Sequence, residues 1–462
     1  MVGIWWSHGG VRTPLPIPWS DQFDYSPLLL IAVGSAFGAT AVATVIAPFW
    51  FWVPLALAAA AGISIVAFRH TVALCVAWLL IVGSTLEMTL GNLIGMELYQ
   101  PIIALVKAAE IALAGLCILR YGVYADVFNP GIAFVVMFAL GAVHGLHPAL
   151  STSDSLRSLI GSVAPFAFAF SRLSPAWGRA IVRATIFIPI WSVIAGAVLS
   201  IAGLRPLFVE SGGERLAALG HPAFLASFCL AAIYACLIEL YREGQSRWMT
   251  LLGVNFVILL LTGARAPMAY AVAVTGLTLA FVHSDAFPRR CRTLPILLAA
   301  CLVPLMLMLA GYLTEVRLFN MLGSEAGNMS GRELLWPPFQ QAAAASPWLG
   351  WGVGAGNAII PPDSELAQII QSWAAHNEYL RMLVEGGQIG RGLLIMLFVL
   401  WVVRHTRVLC RTDCAIMRLV FLAFAAHAYT DNILISTTAC VFFAFATAVF
   451  ARGRLLNTAE VA

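Results

Sequence analysis

What most limits this chain is an apolar run, mostly 17 to 22 residues long, that returns along nearly its whole length. About 20 residues of helix are needed to cross the hydrocarbon of a bilayer, and in lipid only a helix satisfies its own backbone without closing a barrel. Runs fall near 28–46, 49–68, 71–86, 101–119, 130–146, 157–171, 180–203, 222–241, 248–263, 267–283, 294–314, 390–408, 415–430 and 434–451. Those at 71–86 and 157–171 are short enough to be re-entrant or broken, so 12 to 14 transmembrane helices are expected. Charged residues make up 10% of the chain and hydrophobic ones 61%, against ~25% charged in soluble proteins. An all-α polytopic membrane protein follows, and a soluble globular enzyme is excluded.

Charge sets the orientation. Lys107 is the only lysine, so the net charge of +4 is almost wholly arginine. Short loops carry Arg242 with Arg247, then Arg289, Arg290 and Arg292, then Arg404, Arg407 and Arg411, and finally Arg452 with Arg454. If the spans alternate, these share one side, which the positive-inside rule makes cytoplasmic. The chain then divides into an interfacial lead-in at 1–27, a transmembrane bundle at 28–314, a long outer loop at 315–389, C-terminal transmembrane helices at 390–451 and a cytoplasmic tail at 452–462. The lead-in holds Trp5, Trp6 and Trp19 and is interrupted by Pro14, Pro16 and Pro18, unlike a cleavable signal. All nine cysteines fall in spans or cytoplasmic loops, and Cys410 with Cys414 has no matching pair to complete a metal site. No nucleotide, metal or cofactor motif is present, and nothing suggests a nucleic-acid partner.

The loop at 315–389 carries seven acids and three arginines, and chemistry is expected there. Ser330 with Glu333 forms a capping-box pattern, predicting a helix from Gly331 to about Ala345 with Arg332 in its first turn. A helix start beside a guanidinium suits an anion, although Arg332 could equally pair with Glu333. Gly350, Gly352, Gly354 and Gly356 alternate around Trp348 and Trp351, as a plain turn, a backbone cradle or a sugar-stacking platform. A second helix is expected from Asn377 to Glu385, capped by Gly386 or Gly387. His376 at its start would stay neutral beside the positive helix end, available as a base.

Arginines on the outer side run against the orientation rule. Arg265 sits in the tight Thr262-Gly263-Ala264-Arg265 turn, and Arg205, Arg215 and Arg317 also lie outside. They suit an anion held at the membrane boundary, such as a lipid diphosphate; pairing with Glu210, Glu214 or Glu315 is the alternative. Lys107 and Glu110, one turn apart, read as an internal pair, and Glu87 and Asp431 near the outer boundary could line a cavity.

Taken in order, Ser330-Gly331-Arg332 through Trp336, Pro347-x-x-Gly350-x-Gly352-x-Gly354 and His376-Asn377-x-x-Leu380 through Glu385-x-Gly387-x-x-Gly390 resemble the O-antigen ligase and polymerase superfamily of membrane glycosyltransferases. The resemblance covers roughly 251–401 and includes the turn at Arg265. It implies a GT-C-like bundle with a periplasmic loop containing short helices, in the bacterial inner membrane. The implied donor is a glycan on undecaprenyl diphosphate, and the acceptor a second lipid-linked repeat or lipid A-core. By motif position His376 is the implied base, and Arg265 with Arg205, Arg215 or Arg317 holds the leaving diphosphate. Arg332, Asn377, Glu378, Trp348 and Trp351 are the further substrate-binding candidates, with no metal or cofactor required. A transporter of lipid-linked oligosaccharide is the competing class, but it would show a midplane site between interrupted helices.

Overall fold

The computed structural model of the protein describes residues 67–85, 88, 99–210, 214–288, 292, 332–370, 372–434 and 436–453. Val72–Arg454 forms one compact unit; the other, Met1–Thr71 with Leu455–Ala462, lies almost wholly outside the described residues. The apolar runs at 28–46, 49–68 and 294–314 lie essentially outside them too, as does Arg317.

The described runs become helices: α1 (Thr71–Gly83), α2 (Tyr99–Tyr121), α3 (Gly131–His144), α4 (Thr152–Val163), α5 (Pro175–Ile201), α6 (Pro222–Glu243), α7 (Ser246–Leu261) and α8 (Arg265–Phe281). The long loop contributes α9 (Arg332–Ala345) and the short α10 (Glu365–Ile370), and the chain closes with α11 (Glu378–Thr406), α12 (Arg411–His427) and α13 (Thr437–Gly453). Among the described residues four helices are long and apolar enough to cross a membrane, with five shorter apolar ones beside them. The protein is an all-α polytopic membrane protein. The run at 157–171 is indeed broken: α4 gives way at Ala164 to a 3-10 segment reaching Phe170, with Pro165 at its start.

α6 is the axis of the packing. It touches α5, α7, α8, α12 and α13, and 83% of its most apolar window is buried inside the protein. Its polar ends differ. At one end Arg242 pairs with Asp413 of α12, Arg452 of α13 pairs with Glu239, and Arg183 of α5 lies 2.7 Å from Glu243. Its other end, capped by His221, faces the loops that carry the candidate residues.

One feature departs from the sequence reading. The loop at 204–221 contains a small antiparallel hairpin, β1 (Phe208–Glu210) with β2 (Glu214–Leu216), pairing Val209 with Arg215. A sheet edge is tolerated there because the loop lies beyond the helix ends, where backbone groups need not be satisfied in lipid. The helix expected to stop at Gly386 or Gly387 does break there: Gly387 is non-helical (φ 58°, ψ −162°), and a second helical stretch, bent away from the first and taken with it as α11, runs on into the next apolar run.

That bend explains the glycine- and tryptophan-rich segment. Breaking the helical ladder at Gly387 frees backbone groups, and the loop at 347–352 takes them up. Trp351 N–H donates to the Val384 carbonyl (2.9 Å) and Gly352 N–H to that of Glu385 (2.9 Å). In return Gln388 N–H donates to Pro347 (2.8 Å) and Ile389 N–H to Trp348 (3.1 Å). Contact is so close that a Cβ on Gly387 would stand 2.3 Å from the Trp348 carbonyl carbon, and one on Gly350 2.5 Å from that of Glu385. Beneath the loop lies a second small core of Leu335, Phe339, Ala343, Ile360, Ala367 and Val384.

Gly387→Ala should therefore strain the backbone by about 1–3 kcal/mol and unseat the loop. Gly392→Ala is the control, because a Cβ there meets nothing within 4 Å. Thermal unfolding in detergent should show a lower midpoint for Gly387→Ala only; equal midpoints would mean the bend tolerates a side chain.

Candidate active site

His376 stands two residues before α11 in a left-handed backbone conformation (φ 47°), uncommon for a residue with a Cβ. Its imidazole is held at both nitrogens. Nδ1 lies 3.1 Å from Asp431 Oδ1, and Nε2 2.8 Å from Ser372 Oγ. With the carboxylate accepting from Nδ1–H, Nε2 is left as an acceptor for the serine hydroxyl. This is the geometry of a base, its orienting acid and a hydroxyl in the position of a nucleophile.

Asp431 comes from the turn between α12 and α13, and that turn is stitched to the His376 corner. Asn377 N–H donates to Asn432 Oδ1 (3.1 Å), Glu378 N–H to the Ala428 carbonyl (2.7 Å) and Leu434 N–H to Glu378 Oε2 (3.4 Å). Burial alone would raise the Asp431 carboxyl, but the hydrogen bond and charge of His376 hold it below the usual carboxylate range. The acid is thus ionised wherever its partner needs it.

Ser372, His376 and Asp431 line a cavity of about 770 Å³. Its walls come from α2 (Lys107), α4 (Asp154, Arg157, Ser158), α6 (Ser227), the 354–374 loop and α11 (Arg381, Glu385). Lys107, read from sequence as an internal partner of Glu110, reaches this wall.

Arg205 and Arg215 lie near it, and both donate to backbone carbonyls. Arg205 donates to the carbonyls of Leu219 (2.6 Å) and Gly220 (2.5 Å). Arg215, buried in β2, donates through Nε to the Thr262 carbonyl (2.7 Å), joining the hairpin to the turn from which Arg265 projects. Arg265 itself is exposed at the start of α8 and lies off the cavity wall, as do Arg205 and Arg215. Arg332 begins α9, and its side chain is outside the described residues.

His221 connects the two groups. It caps α6 by accepting from Ala223 N–H (3.2 Å) and keeps an edge open to solvent. Burial and then the Arg215 charge push its imidazole down to about 4, with Asp431 opposing and Arg205 and His376 adding smaller effects.

Other candidates are placed in structural roles. Asn377 spends its side chain capping α11, accepting from Leu380 N–H at 3.1 Å. Glu378 is buried and paired with Arg381, which also reaches Glu385 at 2.9 Å. Trp351 donates to the Ala342 carbonyl (2.7 Å), and Trp348 is 67% exposed; neither lines the cavity with His376.

The fold and the cavity together describe a membrane protein with an acid-base site at one end of its helices. Residues 248–396 match the family model described as O-Antigen ligase. The matched stretch runs from α7 into α11 and takes in both Arg265 and His376. Over that stretch, about a third of its length, the chain is similar to the O-antigen ligase family. No curated protein matches the chain.

The depressed His221 gives a pH test. Its folded value of about 4 lies below the ordinary ~6.5, so the unfolded chain takes the proton first and stability falls as pH drops through that window. His221→Asn keeps a capping side chain but does not titrate. Between pH 7 and 4 the wild-type unfolding midpoint should fall more than that of His221→Asn; parallel curves would contradict the assignment.

Proposed function

We propose that this protein transfers a glycan from undecaprenyl diphosphate to an acceptor sugar at the periplasmic face of the bacterial inner membrane. The observation that carries the reading is the Asp431–His376–Ser372 line opening on a large cavity. His376 Nε2 takes the proton of the acceptor hydroxyl. That oxygen bonds to the donor's anomeric carbon as the bond from that carbon to the diphosphate oxygen breaks, and the electron pair leaves with the diphosphate. Asp431 keeps Nε2 turned to the cavity and stabilises the imidazolium that forms. Ser372 Oγ, 2.8 Å from Nε2, occupies the place the acceptor hydroxyl would take.

The leaving diphosphate needs positive charge supplied in advance of its departure. Arg265 is exposed for that purpose, while Arg215 and Arg205 build the turns around it and add to the local positive field. No sequence run near these residues resembles a nucleotide site, which fits a donor that brings its own activated bond. The long loop, with the catalytic role assigned to it, closes on residues delivered by the bundle.

Purified protein given a lipid-linked glycan with either a second lipid-linked repeat or lipid A-core should form product with one of them, which also separates polymerase from ligase. No product with either would favour transport. His376→Ala should lower kcat by about 10²–10⁴-fold, and Asp431→Asn by about tenfold or more through loss of orientation. Arg265→Lys should also lower the rate, because an ammonium cannot reproduce a bidentate fork; unchanged kinetics would remove Arg265 from the diphosphate site.

A further inference from the structure

Trp348 and Trp351 do not line the cavity that holds His376; Trp373 does. It lies three residues before His376, adjoins Ser372, is 40% exposed and lines the same cavity as both. Its neighbours in the loop are used internally: Trp336 donates to the Ala375 carbonyl (2.9 Å), and Trp351 to that of Ala342. Phe224, the other aromatic ring of a phenylalanine or tryptophan in the cavity wall, packs on His221 with ring centroids 6.1 Å apart. Trp373 has neither a hydrogen bond nor a ring contact among the described residues. Its indole is therefore exposed in the cavity wall with its ring face uncovered by other rings, where a ligand can stack on it.

The rest of the wall says which ligand. Its charged residues balance, Lys107, Arg157 and Arg381 against Asp154, Glu385 and Asp431, which disfavours a strongly anionic guest. Its other polar groups are neutral: hydroxyls, among them those of Ser158, Ser162, Ser436, Thr437 and Thr438, the amides of Asn357 and Asn432, and the His376 imidazole. Glu385 is fully buried, and its Oε2 has no hydrogen-bond partner among the described residues. A buried carboxylate oxygen left unsatisfied wants a donor. A guest with an apolar flat face and hydroxyls around its edge meets all of these demands, and a sugar ring has that form.

We propose that Trp373 is the stacking platform for the acceptor's reacting sugar, with Glu385 Oε2 accepting from one of its hydroxyls. The assignment to the acceptor rests on the glycosyl-transfer reading, because His376 takes its proton from the acceptor and Trp373 lines the same cavity as that base.

The test uses full-length protein in detergent and, titrated separately as probes, two glycans free of lipid and diphosphate: the repeat oligosaccharide released by mild acid from the lipid-linked donor, and the core oligosaccharide released by mild acid from lipid A-core. In calorimetric titration Trp373→Ala should bind whichever of them is the acceptor's glycan about tenfold more weakly, while Trp373→Phe should recover most of the affinity. In transfer assays Trp373→Ala should raise KM for the acceptor and leave KM for the donor unchanged. Equal binding by wild type and Trp373→Ala, no binding by wild type, or a rise in donor KM alone would overturn the proposal. Trp373-dependent binding without any product from the wild type would keep the platform and overturn glycosyl transfer instead.

Discussion

The bend of α11 at Gly387 is the constraint on which the outer part of the molecule depends. A straight helix would keep the Val384 and Glu385 carbonyls and the Gln388 and Ile389 amides within its own ladder. Bent, it offers them sideways, and the 347–352 loop docks by backbone hydrogen bonds at 2.8–3.1 Å. Backbone bonding asks little of side chains except that they be small at the contact, which is why glycines meet there. The segment that looked like a cradle for a ligand is a cradle for the protein's own helix.

From that docking the site follows. The first turns of α11 are held against the loop's small core through Val384 and against the 428–434 turn through Glu378 and Asn377. His376, immediately before them, can then be turned into a left-handed conformation and aimed at Asp431. A non-glycine residue in that region costs on the order of 1 kcal/mol or more and persists only where its surroundings over-determine it. Here they do so from two directions.

Much of this was legible in the residues. Run length alone fixed the all-helical class, the break at 157–171 was visible as a run too short to span, and Pro347 marked the end of α9. His376 stood out by its place before a helix, and Arg265 by its charge in a two-span turn. What could not be read was pairing at a distance. Asp431 lies 55 residues from its histidine, and nothing periodic links them. Arg215 sits 47 residues from the carbonyl it holds. Local reasoning could offer it only nearby glutamates. Among the tryptophans, composition could not tell Trp351, engaged with Ala342, from Trp373, which has no such engagement; that difference exists only once the loop has folded.

The stitching of the 376–378 corner to the 428–434 turn has a consequence for how such a site can be moved or copied. His376, the proposed base, belongs to the long loop, Asp431 to a turn between two helices of the bundle, and the Arg215–Thr262 tie to a hairpin and another inter-helix turn. Each contributor is separated from the next by helices of the bundle. The active centre is therefore not a portable module: a soluble version of the loop would carry His376 and its small core but leave the imidazole without its orienting acid.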